Sequence, residues 1–198
     1  MKTKIKGTLL FILVIFSNRM YSQQNLNMEE GIAIINHFSN VYPKFNREFN
    51  ILRNTEKKIK GFNFIRSNGR GNPASVKMNG FITIDISFIE NSVPNYDDNR
   101  LVVVLFHEIG HLHYFTENKY RRNKEDNEKF AFEYSLKRTK ELAENGDCMP
   151  LKTGLKYMKL RSQSNNLDDE HVRALKRMVN EPLYYEYMEF AEKCASLE

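Results

Sequence analysis

Alternation of apolar and polar residues predicts that the strands lie in the first half of the chain. In the segment 78–90, isoleucine and phenylalanine alternate with threonine, aspartate and serine after an Asn79-Gly80 turn. A period of two residues is typical of a strand with one buried face. The segments 45–54 and 60–67 are short and rich in aromatic or β-branched residues, so we predict strands there as well.

Helical spacing of apolar residues dominates the rest of the chain. Residues 25–42 are predicted as a helix, with Asn27 as its N-cap and Glu30 three residues later, as in a capping box. After Asp97 or Asp98, either of which can cap a helix, the pattern is helical to the end. The predicted helices cover 100–115, 124–145, part of 151–163, a segment beginning near 167, and 182–197.

Strands followed by helices indicate an α+β fold, with a small mixed or antiparallel sheet and a mainly helical C-terminal half. A length of 198 residues suits one domain, which we place at residues 23–198. The hydrophobic fraction of 41% includes 14 Phe and 10 Tyr, enough to form a core. This composition excludes an intrinsically disordered chain.

The first 22 residues have the order of a secretory signal peptide: a basic start, an apolar run and a polar end at Ser22. An uncleaved membrane anchor is the alternative, although the apolar run is shorter than the roughly 20 residues of a spanning helix. We therefore predict an exported protein, periplasmic or extracellular, with no membrane span once the leader is cleaved.

Loss of this leader also changes the net charge. The formal charge of +5 falls to about +1, because the leader contains four basic residues and no acidic one. A nearly neutral chain lacks the basic surface that nucleic-acid binding requires, so no nucleic-acid partner is expected. The two cysteines, Cys148 and Cys194, either form a disulfide, as export allows, or remain free thiols.

Candidate chemistry lies in the sequence LVVVLFHEIGHLHYF at 101–115, where an apolar run ends in two histidines and a glutamate. On a helix, His107 and His111 share one face and can bind a single metal ion. Glu108 is turned away from the metal but can reach a water molecule on it. This is the H-E-x-x-H arrangement of zinc hydrolases, with Glu108 as the general base. Gly110 allows another element to pack close behind.

A third protein ligand is expected from the next helix, and a family resemblance bears on which residue supplies it. The segment 101–135 resembles the gluzincin group of zinc peptidases. After HEIGH, the sequence EKFAFEYS at 128–135 resembles the E-x-x-A-D-x-x-A signature of CAAX-prenyl endopeptidase-like metallopeptidases and, more loosely, the ImmA-type family. The resemblance implies a zincin-like fold and places Glu128 on the third zinc ligand and Ala131 on the family's alanine. Other acids of that helix are Glu125, Asp126 and Glu133.

The sequence departs from the family pattern at Phe132, where the family has an aspartate that supports a ligand histidine. Either Glu133 or a backbone carbonyl replaces it, or the alignment of the second helix with the family is wrong. The resemblance also implies that the strand at 81–90 lies at the sheet edge beside the active-site helix. A residue that stabilises the developing oxyanion is left open; for His171 we favour an ordinary helix-start residue. The other candidates are Arg173, Tyr114, Tyr120 and Tyr134.

Together, these features predict an exported zinc metallopeptidase that acts on a peptide or protein substrate. Zn²⁺ is expected on His107, His111 and Glu128, with Glu108 as base. Two alternatives stay open: a zinc hydrolase of a non-peptide amide bond, and a non-catalytic binding or structural protein in which the histidines are satisfied polar groups at a helix end.

Overall fold

The computed structural model describes residues 23–118 and 123–194. Over these ranges the chain forms eight helices and one four-stranded sheet. The predicted α+β class is confirmed, and the fold is mostly helical. The strands are β1 (Gln24–Leu26), β2 (Gly61–Arg66), β3 (Ala74–Val76) and β4 (Phe81–Asp85). The helices are α1 (Met28–His37), α2 (Pro43–Thr55), α3 (Ser87–Glu90), α4 (Asp98–Glu117), α5 (Lys124–Glu144), α6 (Met149–Ser162), α7 (Glu170–Met178) and α8 (Pro182–Lys193). The predicted leader, 1–22, lies outside the described residues.

The sheet is mixed, with strand order β1-β2-β4-β3. Strands β2 and β4 run parallel, while β1 and β3 pair antiparallel to their neighbours. The expectation that the strand at 81–90 lies at the sheet edge is therefore wrong. A turn closed by the bond from the Gly80 amide to the Lys77 carbonyl (2.9 Å) folds β3 back onto β4, and β3 takes the edge.

The segment 45–54, predicted as a strand, is part of helix α2. Phe45, Phe49 and Leu52 are all buried, and their spacing of four and three residues is that of one helix face. Pro43 occupies the first turn, where its missing amide hydrogen costs nothing. The aromatic content of this segment favoured a strand, but the periodicity of its buried positions is helical.

Two predicted boundaries were too wide. The helix predicted at 25–42 covers only Met28–His37 and is preceded by β1, although its capping box between Asn27 and Glu30 is confirmed. Strand β4 ends at Asp85, and residues 87–90 form the short helix α3. Asp85 accepts the backbone amide of Ser87 (3.0 Å), so its carboxylate ends the strand and begins the turn.

Helix α4 runs through the centre of the molecule between two groups of buried side chains. Val102 and Phe106 belong to the group that packs against the sheet and the first two helices. Val103, on another side of α4, belongs to the group built from helices α5 to α8. Because both sides of the helix are covered, its middle is apolar all round and fixed in position.

The two cysteines form a disulfide, which resolves the alternative that the sequence left open. Cys148 precedes α6 and Cys194 follows α8, with Cα atoms 6.0 Å apart. The bond therefore fastens the last described helix to the helical half of the fold. Among the described residues, no helix combines the length and apolar character that crossing a membrane demands.

Candidate metal centre

Helix α4 carries the predicted motif on a face directed toward α5. Asp97 caps the helix by accepting the Arg100 amide (2.8 Å), which identifies the capping residue of the acidic pair. His107, Glu108 and His111 follow in the third and fourth turns, and all three are buried. Since polar side chains are rarely buried without partners, these three require an explanation within the site.

Close approach of α4 and α5 occurs at Gly110, as the sequence predicted. A Cβ atom at this position would lie 2.7 Å from the Cα of Ala131, so only glycine fits. Glu128 lies three residues before Ala131, about one helical turn, which places its carboxylate on the same side as the motif histidines. The helix contact at Gly110 therefore positions the site.

The structure brings His107, His111 and Glu128 together in a triangle of ligand atoms. The Nε2 atoms of the two histidines are 3.1 Å apart. Oε2 of Glu128 lies 3.3 Å from Nε2 of His107 and 3.7 Å from Nε2 of His111. Ligand atoms around one tetrahedral metal at bond lengths of about 2.0–2.1 Å are separated by roughly 3.3 Å. The three distances match that spacing.

Asn127 orients one of the two histidines. Its Oδ1 lies 2.9 Å from Nδ1 of His111, so Nδ1 carries the ring proton and Nε2 keeps its lone pair for the triangle. The sequence did not identify Asn127. Glu133, the expected replacement for the family's aspartate, instead pairs with Lys129 at 2.5 Å, and Phe132 packs against the ring of His107 with centroids 4.3 Å apart.

Burial sets the protonation of these groups. It lowers the pKa of His107 to about 3, with positive neighbours led by His171 adding to the effect. The pKa of His111 is lowered to about 4, again chiefly by burial. Both rings are therefore neutral near pH 7, the form that binds metals.

The carboxylate of Glu128 is also disfavoured as an ion by its surroundings. Burial raises its pKa, although His111 and His171 act in the opposite direction. Its Oε2 atom is buried, and none of the ring nitrogens of His107, His111 and His171 near it forms a hydrogen bond to it. A cation at the triangle would attract this carboxylate oxygen and the Nε2 lone pairs of His107 and His111.

The residues present thus fit a metal ion. His107, Glu108 and His111 form a buried group whose potential ligand atoms all lie within 4.8 Å of one another, and His107, Glu128 and His171 form a second such group. Two neutral imidazoles and one carboxylate are the donor set of many catalytic zinc sites.

Glu108 lies between this group and the edge strand β3. The backbone amide of Val76 donates a hydrogen bond to its carboxylate. Burial and the nearby Glu128 nevertheless raise the pKa of Glu108 well above its usual value. A carboxyl group with a raised pKa is suited to take a proton and release it again.

His171 is both a helix-start residue, as favoured, and a neighbour of the triangle. Asp169 caps α7 by accepting the His171 amide (2.9 Å), and its Oδ1 also lies 3.0 Å from Nδ1 of the ring. The other ring nitrogen, Nε2, is 3.2 Å from Oε2 of Glu128. The sequence offered His171 as a candidate oxyanion donor but did not favour that role.

The other acids considered as ligands point elsewhere. Glu125 pairs with Arg173 (3.0 Å) and Arg177 (2.8 Å), and Asp126 also pairs with Arg177 (2.8 Å). Arg173 is consequently engaged in a surface ion pair rather than in the site.

Two of the tyrosines near the motif contact other groups in the described part of the chain. Tyr134 packs against His113, with ring centroids 4.6 Å apart. The hydroxyl of Tyr114 lies 3.5 Å from the Asn123 carbonyl. Tyr120 lies outside the described ranges. The structure places His171 beside Glu128, with Nε2 of the ring 3.2 Å from Oε2 of the carboxylate.

Comparisons with known proteins do not assign the chain to a family. No protein-family model matches it, and neither the curated proteins nor the solved structures include a match.

Proposed function

We propose that the protein is a zinc-dependent metallopeptidase that hydrolyses peptide bonds, with Zn²⁺ held by His107, His111 and Glu128. The observation that carries the proposal is the triangle of Nε2, Nε2 and Oε2 atoms, with sides of 3.1, 3.3 and 3.7 Å. These donors come from two helices, and their spacing suits a tetrahedral ion.

Zinc is favoured over harder ions by the donor set. Magnesium and calcium prefer oxygen ligands, whereas two imidazoles and one carboxylate suit zinc. When bound, zinc supplies Lewis acidity, which makes a water molecule acidic near neutral pH and polarises a carbonyl group.

Glu108 is proposed as the general base. Its carboxylate takes a proton from the attacking water and then donates that proton to the amine of the leaving group. The raised pKa of Glu108 makes the first transfer easier, because a less acidic carboxyl group holds the proton that it takes from water more strongly. The amide of Val76 holds the carboxylate in position from the edge strand.

His171 is proposed to stabilise negative charge on the carbonyl oxygen of the substrate. Its Nδ1 lies 3.0 Å from Oδ1 of Asp169, which orients the ring, and its Nε2 lies 3.2 Å from Oε2 of Glu128 and faces the site. A ring N–H that donates a hydrogen bond to the reacting carbonyl oxygen supplies electrostatic stabilisation of the transition state.

Export is proposed as well. The disulfide between Cys148 and Cys194 is consistent with an oxidising compartment. It agrees with the signal-peptide pattern of the first 22 residues.

A peptide-cleavage assay tests the function. The purified chain from residue 23 is loaded with zinc and incubated with a complex peptide mixture, and cleavage products are identified by mass spectrometry. We expect cleavage that stops when zinc is chelated and returns when zinc is restored. If the protein binds zinc stoichiometrically but hydrolyses only non-peptide amide bonds, the alternative of a non-peptide zinc hydrolase is favoured. Failure to bind zinc would contradict the metallopeptidase.

A further inference from the structure

A cleft extends from the metal triangle along α4 toward the start of that helix. Arg100, Val103, Val104 and His107 line one side of it, at the spacing of a single helix face. The opposite walls come from β3 and α6. The cavity volume, counted as the space open to the centre of a water molecule, is about 80 Å³. One water molecule needs about 10–15 Å³ of such space. The cleft can therefore hold a group several atoms in size.

Arg100 is a buried cation at the far end of this cleft. Its side chain belongs to a residue only 6% exposed, and its Nη1 atom has no hydrogen-bond partner among the described residues. The guanidinium stacks on the ring of Tyr157 and lies 5.9 Å from the ring centroid of Tyr96. Both neighbouring groups are aromatic rings, which hold the planar guanidinium without neutralising its charge.

No carboxylate of the described ranges lies within ion-pair distance of Arg100. The neighbouring Arg161 is matched by Asp169, with Nη2 and Oδ2 2.8 Å apart, and it also donates to the Tyr157 hydroxyl (2.8 Å). Asp169 is further occupied by His171. This end of the cleft therefore carries an excess of positive charge.

An unpaired buried charge is destabilising unless something compensates it. Burial accordingly lowers the pKa of Arg100 from its usual value. A fold usually avoids such a residue in a core, where an apolar side chain of similar size would serve. The position of Arg100 in a cleft that leads to the metal triangle indicates that the compensating group arrives with a ligand.

We propose that this end of the cleft binds a carboxylate of the substrate and that Arg100 is a specificity-determining residue. The inference rests on the proposed function, which supplies the substrate. Arg100 and His107 are seven residues apart, about 10 Å along the helix axis. Since an extended peptide advances about 3.3 Å per residue, the carboxylate lies about three residues from the scissile bond.

Two sources can supply that carboxylate: an acidic side chain or the free C-terminus of a short peptide. Matched peptides distinguish them. The probes are N-acetylated hexa-alanine peptides in which glutamate or glutamine occupies each position in turn, each made with a C-terminal carboxylate and with a C-terminal amide. Binding is measured by calorimetry on zinc-loaded Glu108→Gln, which should not consume the peptides.

We expect at least one carboxylate peptide to bind about 10-fold more tightly than its uncharged partner, as for a charge-assisted hydrogen bond. The advantage should disappear in the additional variant Arg100→Met and be reduced in Arg100→Lys, which keeps the charge but not the planar fork. A preference for glutamate over glutamine identifies a side chain, and a preference for carboxylate over amide identifies the C-terminus.

Arg138→Met is the matched control. Arg138 also packs on an aromatic ring, with its Cζ 5.4 Å from the Phe106 centroid, and its Nε is also buried without a partner. It lies outside the cleft, so its replacement should leave the carboxylate preference unchanged.

Thermal unfolding of the single variant Arg100→Met separates recognition from a structural role. Removal of an unpaired buried charge should leave the midpoint at or above that of the wild type.

The inference is overturned if no probe shows a carboxylate preference, if the preference survives Arg100→Met, or if that variant loses stability with unchanged preference. Carboxylate-selective binding without hydrolysis by the wild type would contradict the proposed function and leave this inference standing. Hydrolysis by the wild type without carboxylate selectivity would contradict this inference and leave the proposed function standing.

Discussion

At the scale of single residues, Glu108 and the residues of the triangle are proposed to have separable roles. Glu108 lies beside the triangle and is held by the Val76 amide, whereas His107, His111 and Glu128 form the triangle itself. A substitution that keeps the size of Glu108 but removes its basicity should therefore affect the reaction without affecting the metal.

Glu108→Gln is expected to retain zinc and to lose hydrolysis by about 10²–10⁴-fold, because the base is removed while the ligands stay. Turnover of a cleaved peptide and zinc content are measured on the same preparation. Glu133→Gln serves as the control, since Glu133 pairs with Lys129 away from the triangle. Full activity in Glu108→Gln would show that another group takes the proton.

Acidification should destabilise the metal-free protein through its buried histidines. Above pH 6.5 the ring of His107 is neutral in both states and contributes nothing. Below that pH the unfolded chain takes up a proton that the folded chain refuses until about pH 3. Stability is therefore lost as the pH falls, by about 2 kcal/mol at pH 5 for a shift of this size.

Urea unfolding with a chelator, at pH 8 and pH 5, measures this effect. The wild type should lose about 2 kcal/mol more between the two values than His107→Gln, which has no ring to protonate. The raised pKa values of Glu108 and Glu128 act in the opposite direction in both proteins, so the comparison isolates the histidine. Equal losses would show that His107 is protonated in the folded state.

Prediction of the site from sequence succeeded where the contacts are local. The relation of His107 to His111 follows from helix geometry alone. The prediction that Glu128 lies close to these histidines required the second motif, and its position in the structure requires the helix contact at Gly110. Asn127 was not identified, and His171 was offered as an oxyanion donor without being favoured for that role. The positions of both depend on how α5 and α7 pack and not on any spacing within the motif.

At the scale of helices and strands, the contact between α4 and α5 determines the geometry of the triangle. The Cβ that Gly110→Ala introduces would lie 2.7 Å from a backbone atom of Ala131. Because backbone cannot rotate away, the helices must separate. We expect a loss of about 1–3 kcal/mol in the free energy of unfolding, together with weaker zinc binding, since Glu128 moves away from the histidines.

Gly154→Ala, in α6, is the matched control for that substitution. A Cβ at Gly154 would meet only side-chain atoms, the nearest at 3.4 Å. The change should be neutral or stabilising by about 0.5–1 kcal/mol, because alanine is the better helix former. Calorimetric unfolding and a zinc titration on both variants provide the comparison. Unchanged zinc affinity in Gly110→Ala would mean that the close approach does not position Glu128.

Helix and strand types followed from sequence wherever the periodicity was long. The five predicted helices from residue 100 onward all exist, with limits changed by a few residues. Helix α2 was missed because its three buried apolar positions, Phe45, Phe49 and Leu52, are aromatic or aliphatic residues that also suit strands. Short segments of this kind are assigned by tertiary packing, which overrides local preference.

At the scale of the whole molecule, the disulfide should stabilise the helical half without contributing to the metal centre. It closes a separation of 46 residues, for which the chain-entropy model gives about 4 kcal/mol. Replacement of Cys148 and Cys194 by serine should lower the free energy of unfolding by about that amount and leave the zinc content unchanged. Denaturant unfolding and metal analysis measure the two effects. Loss of zinc in this variant would show that the site depends on the disulfide.

The α+β class was predictable from the sequence, but the order of the strands was not. Strand order depends on contacts between residues far apart, such as the pairing of Phe62 with Ile82, which no local pattern specifies. The error about the edge strand matters for the proposed site. Strand β3, and not β4, provides the backbone amide that contacts Glu108.

Zinc quantification on the wild type and Glu128→Ala, purified side by side, tests the central claim most directly. Glu125→Ala is the control, since Glu125 is an acid of the same helix that is engaged by arginines. The account predicts one zinc per chain in the wild type and in Glu125→Ala, and much less than one in Glu128→Ala. Equal zinc in all three proteins would contradict the proposed metal triangle.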